Sequence, residues 1–264
     1  SIVGRSGEEF PSLPLIEKEN PLILSQFTLK EVIRQTVFSI SDNESNKIMT
    51  GELFEIKKDV LRVISLDGHR ISIRKINLKE EYEDRKVIIP GKTLNEISKI
   101  LSGDISSMVN IYFTDKHALF EFDDTVVVTR LIEGEYYRID QMLSSDYETK
   151  VNINKKELLS CIERASLLIR ETDKKPIIIR IKDNNFELNI NTSIGSMKED
   201  MDIEMEGKEI VIGFNPKYLM DALRVIDDET VDIYLINPKA PCFIRDKDQT
   251  YIYLILPVNI NVAS

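Results

Sequence analysis

The sequence predicts an α+β chain built as two similar domains in tandem, each made of antiparallel sheets with two helices. Two observations carry that prediction. The stretch Pro90 to Leu101 resembles the stretch Asn215 to Ile226, with Leu94 and Leu219 aligned at an offset of 125. Ile56 and Ile181 stand at the same offset inside short strand-like runs, and Lys30 and Lys156, each opening an earlier helical pattern, differ by 126. A period this long is domain-sized, too large for a solenoid repeat. The second observation is the order of patterns, which runs helix, strands, helix, strands in both halves.

Residues 1–21 carry Gly, Ser, Pro and Glu without a period and read as a linker or tail. The first domain, 22–148, opens with a helix over 28–41 on which Leu29, Val32, Ile33, Val37 and Ile40 share a face and Thr28 caps the start. Strands are expected at 51–56, 60–66, 69–76 and 87–89. Asp67-Gly68 lies between two alternating runs and marks a hairpin, because Gly accepts a positive φ without steric cost. A helix over 91–101 and strands at 109–113, 117–122 and 125–132 complete the unit. The second domain, 149–264, repeats the order with a helix over 155–169, strands at 177–181, 186–191, 197–204 and 209–213, a helix over 216–226, and strands at 231–236, 241–245 and 250–257. Pro216 sits in the first turn of its helix, where a missing N–H costs least.

Composition narrows the function. The 264 residues carry a net charge of −10, with 42% hydrophobic and 30% charged residues, which are globular values. No apolar run is long enough for a membrane helix, and the N-terminal residues lack the apolar core of a signal peptide. Two cysteines, Cys161 and Cys242, do not make a disulfide framework and suggest a reducing, cytoplasmic setting. The charge is unevenly placed. Counted over 28–41, 91–101, 154–170 and 215–226, the four predicted helices hold ten bases (Lys30, Arg34, Lys92, Lys99, Lys155, Lys156, Arg164, Arg170, Lys217 and Arg224) against five acids, a net +5 that leaves −15 elsewhere. If the helices share a surface, phosphate is its natural partner, through sequence-independent contacts. Good helix formers on solvated faces would give the same count.

No catalytic constellation emerges. His69 and His117 are the only histidines. Gly91-Lys92-Thr93 resembles the end of a phosphate-binding loop, but position 86 is Lys rather than the required Gly. No Cys/His set has metal-ligand spacing. The residues therefore point to no catalytic residue, no metal and no cofactor.

Several motifs resemble one family. Leu66-Asp67-Gly68-His69-Arg70-Ile71 is similar to the Thr-Asp-Gly-His-Arg-Leu signature of bacterial sliding clamps, the beta subunit of DNA polymerase III. Ile212-Gly213-Phe214-Asn215 with Tyr218-Leu219 resembles a motif of that family's third domain. Leu254 to Val258 resembles its C-terminal ending, and Glu9 to Pro14 resembles the linker after its first domain. The resemblance implies that this chain corresponds to the second and third of three clamp domains.

It also implies a non-enzymatic processivity factor in the bacterial cytoplasm, associated with the nucleoid. Two full-length subunits would close a ring around duplex DNA, and this chain alone would not form that ring. The implied DNA-facing residues are Lys30, Arg34, Lys47, Lys92, Lys99, Arg164, Lys217 and Arg224. A groove for linear motifs of the polymerase catalytic subunit, the clamp loader, other polymerases and repair proteins would use Met49, Leu66, Gly68, His69, Arg70, Ile71, Gln141, Met142, Leu254 and Leu256. Its second lobe would use Asn215, Tyr218, Lys239, Pro241, Pro257, Val258 and Asn259. Leu167 and Leu168 would lie at the ring joint, and the strand at 177–181 would be left as an open edge. The sequence departs from the family at Gly134 to Ile139, where a proline is lost, and at Gln141, which replaces a groove arginine. A peptide-binding module without a DNA role is the alternative of a different class, and an enzyme with a site around His69 is a third.

Overall fold

A computed structural model describes residues 2–4, 6–7, 14–170 and 175–260. Most of the linker motif at Glu9 to Pro14 lies outside the described residues.

The first unit opens with strand β1 (Leu22–Ser25) and helix α1 (Gln26–Thr36). The helix cap is Ser25, whose hydroxyl accepts from the Thr28 N–H, so the expected cap at Thr28 shifts by three residues. Both residues can cap. Ser25 wins because β1 ends there, in the extended conformation a cap requires. A short 3-10 turn over Val37–Ser39 ends the helical segment before the expected Ser41.

Strands β2 (Gly51–Leu66) and β3 (Arg70–Pro90) form one long hairpin where four short strands were expected. The stretch 77–86 holds only two apolar residues, Leu78 and Tyr82, which pack on the first core but stand four apart and give no alternation, yet pairing with β2 holds it extended. The pairing register shifts on either side of Lys58, whose φ is +51°. Such an irregularity bends the ribbon locally within its single sheet. Helix α2 (Gly91–Ile100) and strands β4 (Met108–Phe113), β5 (His117–Phe122) and β6 (Thr125–Arg130) follow as expected.

The second unit comprises β7 (Thr149–Asn154), α3 (Lys155–Ser166), β8 (Ile177–Lys182), β9 (Asn185–Thr192), β10 (Gly195–Asp202), β11 (Glu204–Gly207), β12 (Ile210–Phe214), α4 (Pro216–Val225), β13 (Thr230–Leu235), β14 (Cys242–Arg245) and β15 (Tyr251–Ile255). The repeat is structural. Leu94 on α2 and Leu219 on α4 are both buried, as are Ile56 and Ile181 on their strands. At the helix starts the offset of 125 joins Lys30 to Lys155 rather than to Lys156. Lys30 Nζ donates to the Leu101 carbonyl at 2.8 Å, and Lys155 Nζ donates to the Ile226 carbonyl at 2.6 Å. Each lysine thus closes the C-terminus of its unit's other helix, where a cation meets the helix dipole.

Three sheets result, ordered β1-β4-β5-β6, β10-β9-β8-β12 and β11-β7-β13-β14-β15-β3-β2. The last crosses the joint, because β15 of the second unit pairs with β3 of the first from Tyr251↔Arg74 to Ile255↔Arg70. The expectation of an open edge at 177–181 is incorrect. β8 lies between β9 and β12, and the end strands of that sheet are β10 and β12, the latter bridged to Val258 at Gly213. Each unit has its own apolar core, and a third cluster under the connector joins Leu53, Ile64, Ile139, Tyr234 and Phe243.

Candidate functional site: a hairpin–helix surface and a row of basic helices

The Asp67-Gly68 turn joins β2 to β3 at the boundary between the units. Gly68 has φ +89°, and Asp67 Oδ1 accepts from the N–H groups of His69 at 2.9 Å and Arg70 at 3.1 Å. A side-chain oxygen closing the turn in this way is why Asp starts it. The turn's next two side chains both reach Tyr218 but differ in burial. His69 is exposed, its ring 5.8 Å from that of Tyr218 on α4, and its carbonyl accepts from the Leu256 N–H at 2.9 Å.

Arg70 is buried at 6% exposure. Its Nε donates to Asp67 Oδ2 at 2.9 Å, one terminal nitrogen to Asp221 Oδ2 at 2.6 Å, and the other to the Phe38 carbonyl at 2.6 Å. The guanidinium plane also lies 4.7 Å from the Tyr218 ring centre and 5.4 Å from that of Phe38. Only a planar fork can meet this many partners at once. Arg70 therefore pins the first unit's hairpin to the second unit's α4. Burial from water pushes the Tyr218 hydroxyl above its ordinary pKa.

The other expected groove residues divide. Leu66, Ile71 and Leu254 are 3–6% exposed and belong to one apolar cluster, with Met49 packed against it. Leu256, Val258 and Met142 are 37–54% exposed. Asn215 caps α4 by accepting from the Lys217 N–H, and Val258 bonds to the Gly213 carbonyl, which brings the C-terminal segment beside that cap. Pro257 and Pro241 are half-buried. Lys239 and Asn259 line one cleft of about 350 Å³ with Ile210 and Ile236. Gln141 instead lines a cleft of about 700 Å³ beside Tyr136, Tyr137 and Arg138, which neither His69 nor Tyr218 lines.

Sequence reasoning missed Asp221 and Phe38 as the partners of Arg70. The spacing held one signal, since Asp221 is three residues after Tyr218 and so shares its helix face.

The four helices lie side by side in the order α2, α1, α4, α3. The expected DNA-facing cations sit on this row or at its margin, in three different states. Lys30 is committed to its helix-end carbonyl. Arg34, Lys92, Lys99, Arg164 and Arg224 are ion-paired with Glu31 and Asp227, Glu44, Glu96, Glu199 and Glu163 respectively. Lys47 and Lys217 make no ion pair among the described residues, nor does Lys156, which was not among the expected contacts. Leu167, at the end of α3, is 80% exposed, while Leu168 packs against the second core. No helix among the described residues is long and apolar enough to cross a membrane.

Repeated units that share a sheet, present a row of basic helices and carry a hairpin–helix surface at their joint define a DNA-clamp architecture. Comparison with known proteins makes this specific. Residues 23–137 match the family model for the DNA polymerase III beta subunit central domain, and residues 140–259 match that for its C-terminal domain. The beta sliding clamp of Staphylococcus aureus is 34% identical over 261 residues, which cover 98% of this chain and 69% of that protein. Among solved structures, a putative DNA polymerase III beta subunit from Eubacterium rectale is 63% identical with a TM-score of 0.96, over 99% of this chain and 71% of that one. The sliding clamp from Bacillus subtilis is 34% identical with a TM-score of 0.94, over 97% and 69%. The chain belongs to the DNA polymerase III beta subunit family, the bacterial sliding clamps. Its role is that of a replication processivity factor, and it is not an enzyme.

Proposed function

We propose that the chain acts as an arc of a ring around duplex DNA, with its helix row toward the DNA, in the cytoplasm at the nucleoid. Lys47, Lys92, Lys99, Arg164, Lys217, Arg224 and Arg34 are the contacts to phosphate in this reading, with Lys30 serving indirectly by holding a helix end. The contiguity of the four helices supports it, because it sets the net-positive elements of an acidic chain side by side. Delocalised phosphate contacts hold a duplex without fixing a position along it.

On the joint surface, His69, Tyr218, Leu256, Val258 and Met142 would receive short linear motifs. Leu66, Ile71, Leu254 and Met49 would form the floor beneath them, and Gly68, Arg70 and Asn215 would set the backbone around them. Gln141, Lys239, Pro241, Pro257 and Asn259 would lie at its margins. Apolar ground with a few polar anchors suits peptide capture. The partners proposed are the polymerase III catalytic subunit, the clamp loader, other polymerases and repair proteins.

Ring closure would use Leu167, with Leu168 beneath it, and the free side of β10 in place of the strand at 177–181. The offset of 125 maps β10 onto the part of β3 that receives β15, which supports this choice. The domain limits 22–148 and 149–264 are supported by the separate cores and by family models that meet within the connector.

The test has two arms. A polymerase-derived clamp-binding peptide titrated against the chain should bind, and replacing His69 with Ala should weaken it several-fold. Reversing the charge of Lys156, Lys217 and Arg224 should reduce affinity for duplex DNA and spare the peptide. No peptide binding removes the groove. Unchanged DNA affinity favours a peptide-binding module without a DNA role.

A further inference from the structure

The basic helix row is already occupied by anions of the protein itself. Arg34 Nη2 lies 2.6 Å from Glu31 Oε2 and 2.9 Å from Asp227 Oδ2. Arg224 Nη2 lies 2.9 Å from Glu163 Oε1, a pair that bridges α4 and α3. Arg164 pairs with Glu199 of β10, reaching from helix to sheet. All three arginines within the helices of the row are thus engaged, whereas Lys156 and Lys217 on the helices, Lys47 at the margin and Arg170 beyond the end of α3 make no ion pair among the described residues. The arginine side chains remain 35–52% exposed, so a phosphate can reach them.

We propose that Glu31, Glu163 and Glu199 are built-in competitors for DNA phosphate, which set how weakly the helix row holds a duplex. The inference rests on the reading of that row as the DNA face. Exposed ion pairs are held by small free energies. A passing phosphate can therefore displace a carboxylate, but it replaces one anion by another and gains little. As the duplex moves on, the carboxylate returns and the guanidinium is never left bare. Unpaired arginines on the same surface would grip phosphate in bidentate fashion and add drag. The three carboxylates come from three elements, α1, α3 and β10, and each meets a guanidinium on the helix row. Glu163 and Glu199 reach their arginines across elements, which distinguishes them from incidental helix-surface acids, whereas Glu31 pairs with Arg34 within α1.

The experiment measures binding of the full chain to a fluorescein-labelled 20-base-pair duplex by anisotropy, across a low-salt series. Glu163→Gln, Glu199→Gln, and Glu31→Gln combined with Asp227→Asn, which together free Arg34, should each tighten binding about two- to five-fold. Each freed arginine that engages phosphate should steepen the log K against log salt slope by about 0.9. The gain from Glu163→Gln should vanish in an Arg224→Gln background. Circular dichroism checks that each variant is folded. A gain that persists without Arg224 reflects charge removal alone and overturns the proposal, as does no gain at all. Lys156→Ala with Lys217→Ala separates the two readings. If this pair weakens binding while the Glu→Gln variants change nothing, only the competitor role fails. If it too changes nothing, the DNA-face reading fails with it.

Discussion

Replacing Arg70 with Ala should cost more stability than any other single change on the joint surface. The side chain is 6% exposed, and its two carboxylate partners are 14% exposed at Asp67 and 18% at Asp221. Truncation strands both carboxylates and removes the donor to the Phe38 carbonyl. Breaking a buried pair from one side costs about 3–5 kcal/mol. The partial exposure of both carboxylates places this case at the low end, about 3 kcal/mol. In a chain of this size that corresponds to a fall in Tm of about 6–12 °C. The chain has no Trp, so far-UV circular dichroism during thermal and urea melts is the direct assay. Asp221→Asn should cost less, because Arg70 keeps Asp67 and the carbonyl. The double variant should cost little more than Arg70→Ala alone, since residues in one network do not add. A loss below about 1 kcal/mol for Arg70→Ala would refute the reasoning, because it would mean that water already solvates the guanidinium.

Other consequences are as definite. Glu52 is fully buried, and burial raises its carboxyl well above the ordinary value, against a smaller lowering by the Thr36 hydroxyl. A raised carboxyl favours folding fully below its unfolded pKa and loses that contribution as pH rises toward the folded pKa. The urea midpoint of the native chain should therefore decline relative to that of Glu52→Gln as pH rises from about 4 through neutrality; a constant difference between the two would contradict this. The thiols of Cys161 and Cys242 are buried and pushed up to about 12 by desolvation. Neither should react with a disulfide reagent at neutral pH until urea unfolds the chain, and prompt labelling of the native protein would count against the packing. Gly68→Ala should cost about 1–2 kcal/mol through its positive φ alone, because a Cβ there meets nothing within 4 Å. Gly68→Asn should cost less, and equal melting points for the two would show that the turn had rearranged.

The parts of this fold that were legible in sequence are those fixed by local chemistry. Asp67-Gly68 announces a turn wherever it stands between alternating runs. Pro216 after Asn215 announces a helix start, and the 125-residue offset is visible because buried leucines and isoleucines recur in step. β1 and β7 went unread because each follows a linker and runs straight into a helix, with no turn between to mark it off. The segment 77–86 went unread because Leu78 and Tyr82, its two apolar residues, stand four apart and show no alternation, while pairing with β2 helps hold it extended. Strand order is not local at all, which is why 177–181 was mistaken for an edge. The site divides in the same way. His69 and Tyr218 were readable from a motif, but the burial of Arg70 depends on Phe38 and Asp221, which only the joint brings within reach. The basic count on the helices was right in sign but one too high, because α3 ends at Ser166 and leaves Arg170 beyond it, and it was incomplete as chemistry, because the carboxylates that meet the arginines come partly from β10 and from a neighbouring helix.

The shared sheet has a mechanical meaning. Because β15 continues the ladder onto β3, the two units are joined by backbone hydrogen bonds as well as by a connector. A hinge at this boundary would have to unzip a ladder, whereas hinges elsewhere in proteins need only rotate a few loop torsions. The chain should behave as a stiff bracket, with slow amide exchange at Ile252 and Leu254 comparable to that of either core. Any opening motion in an assembly built from such brackets would then be concentrated where one bracket meets the next.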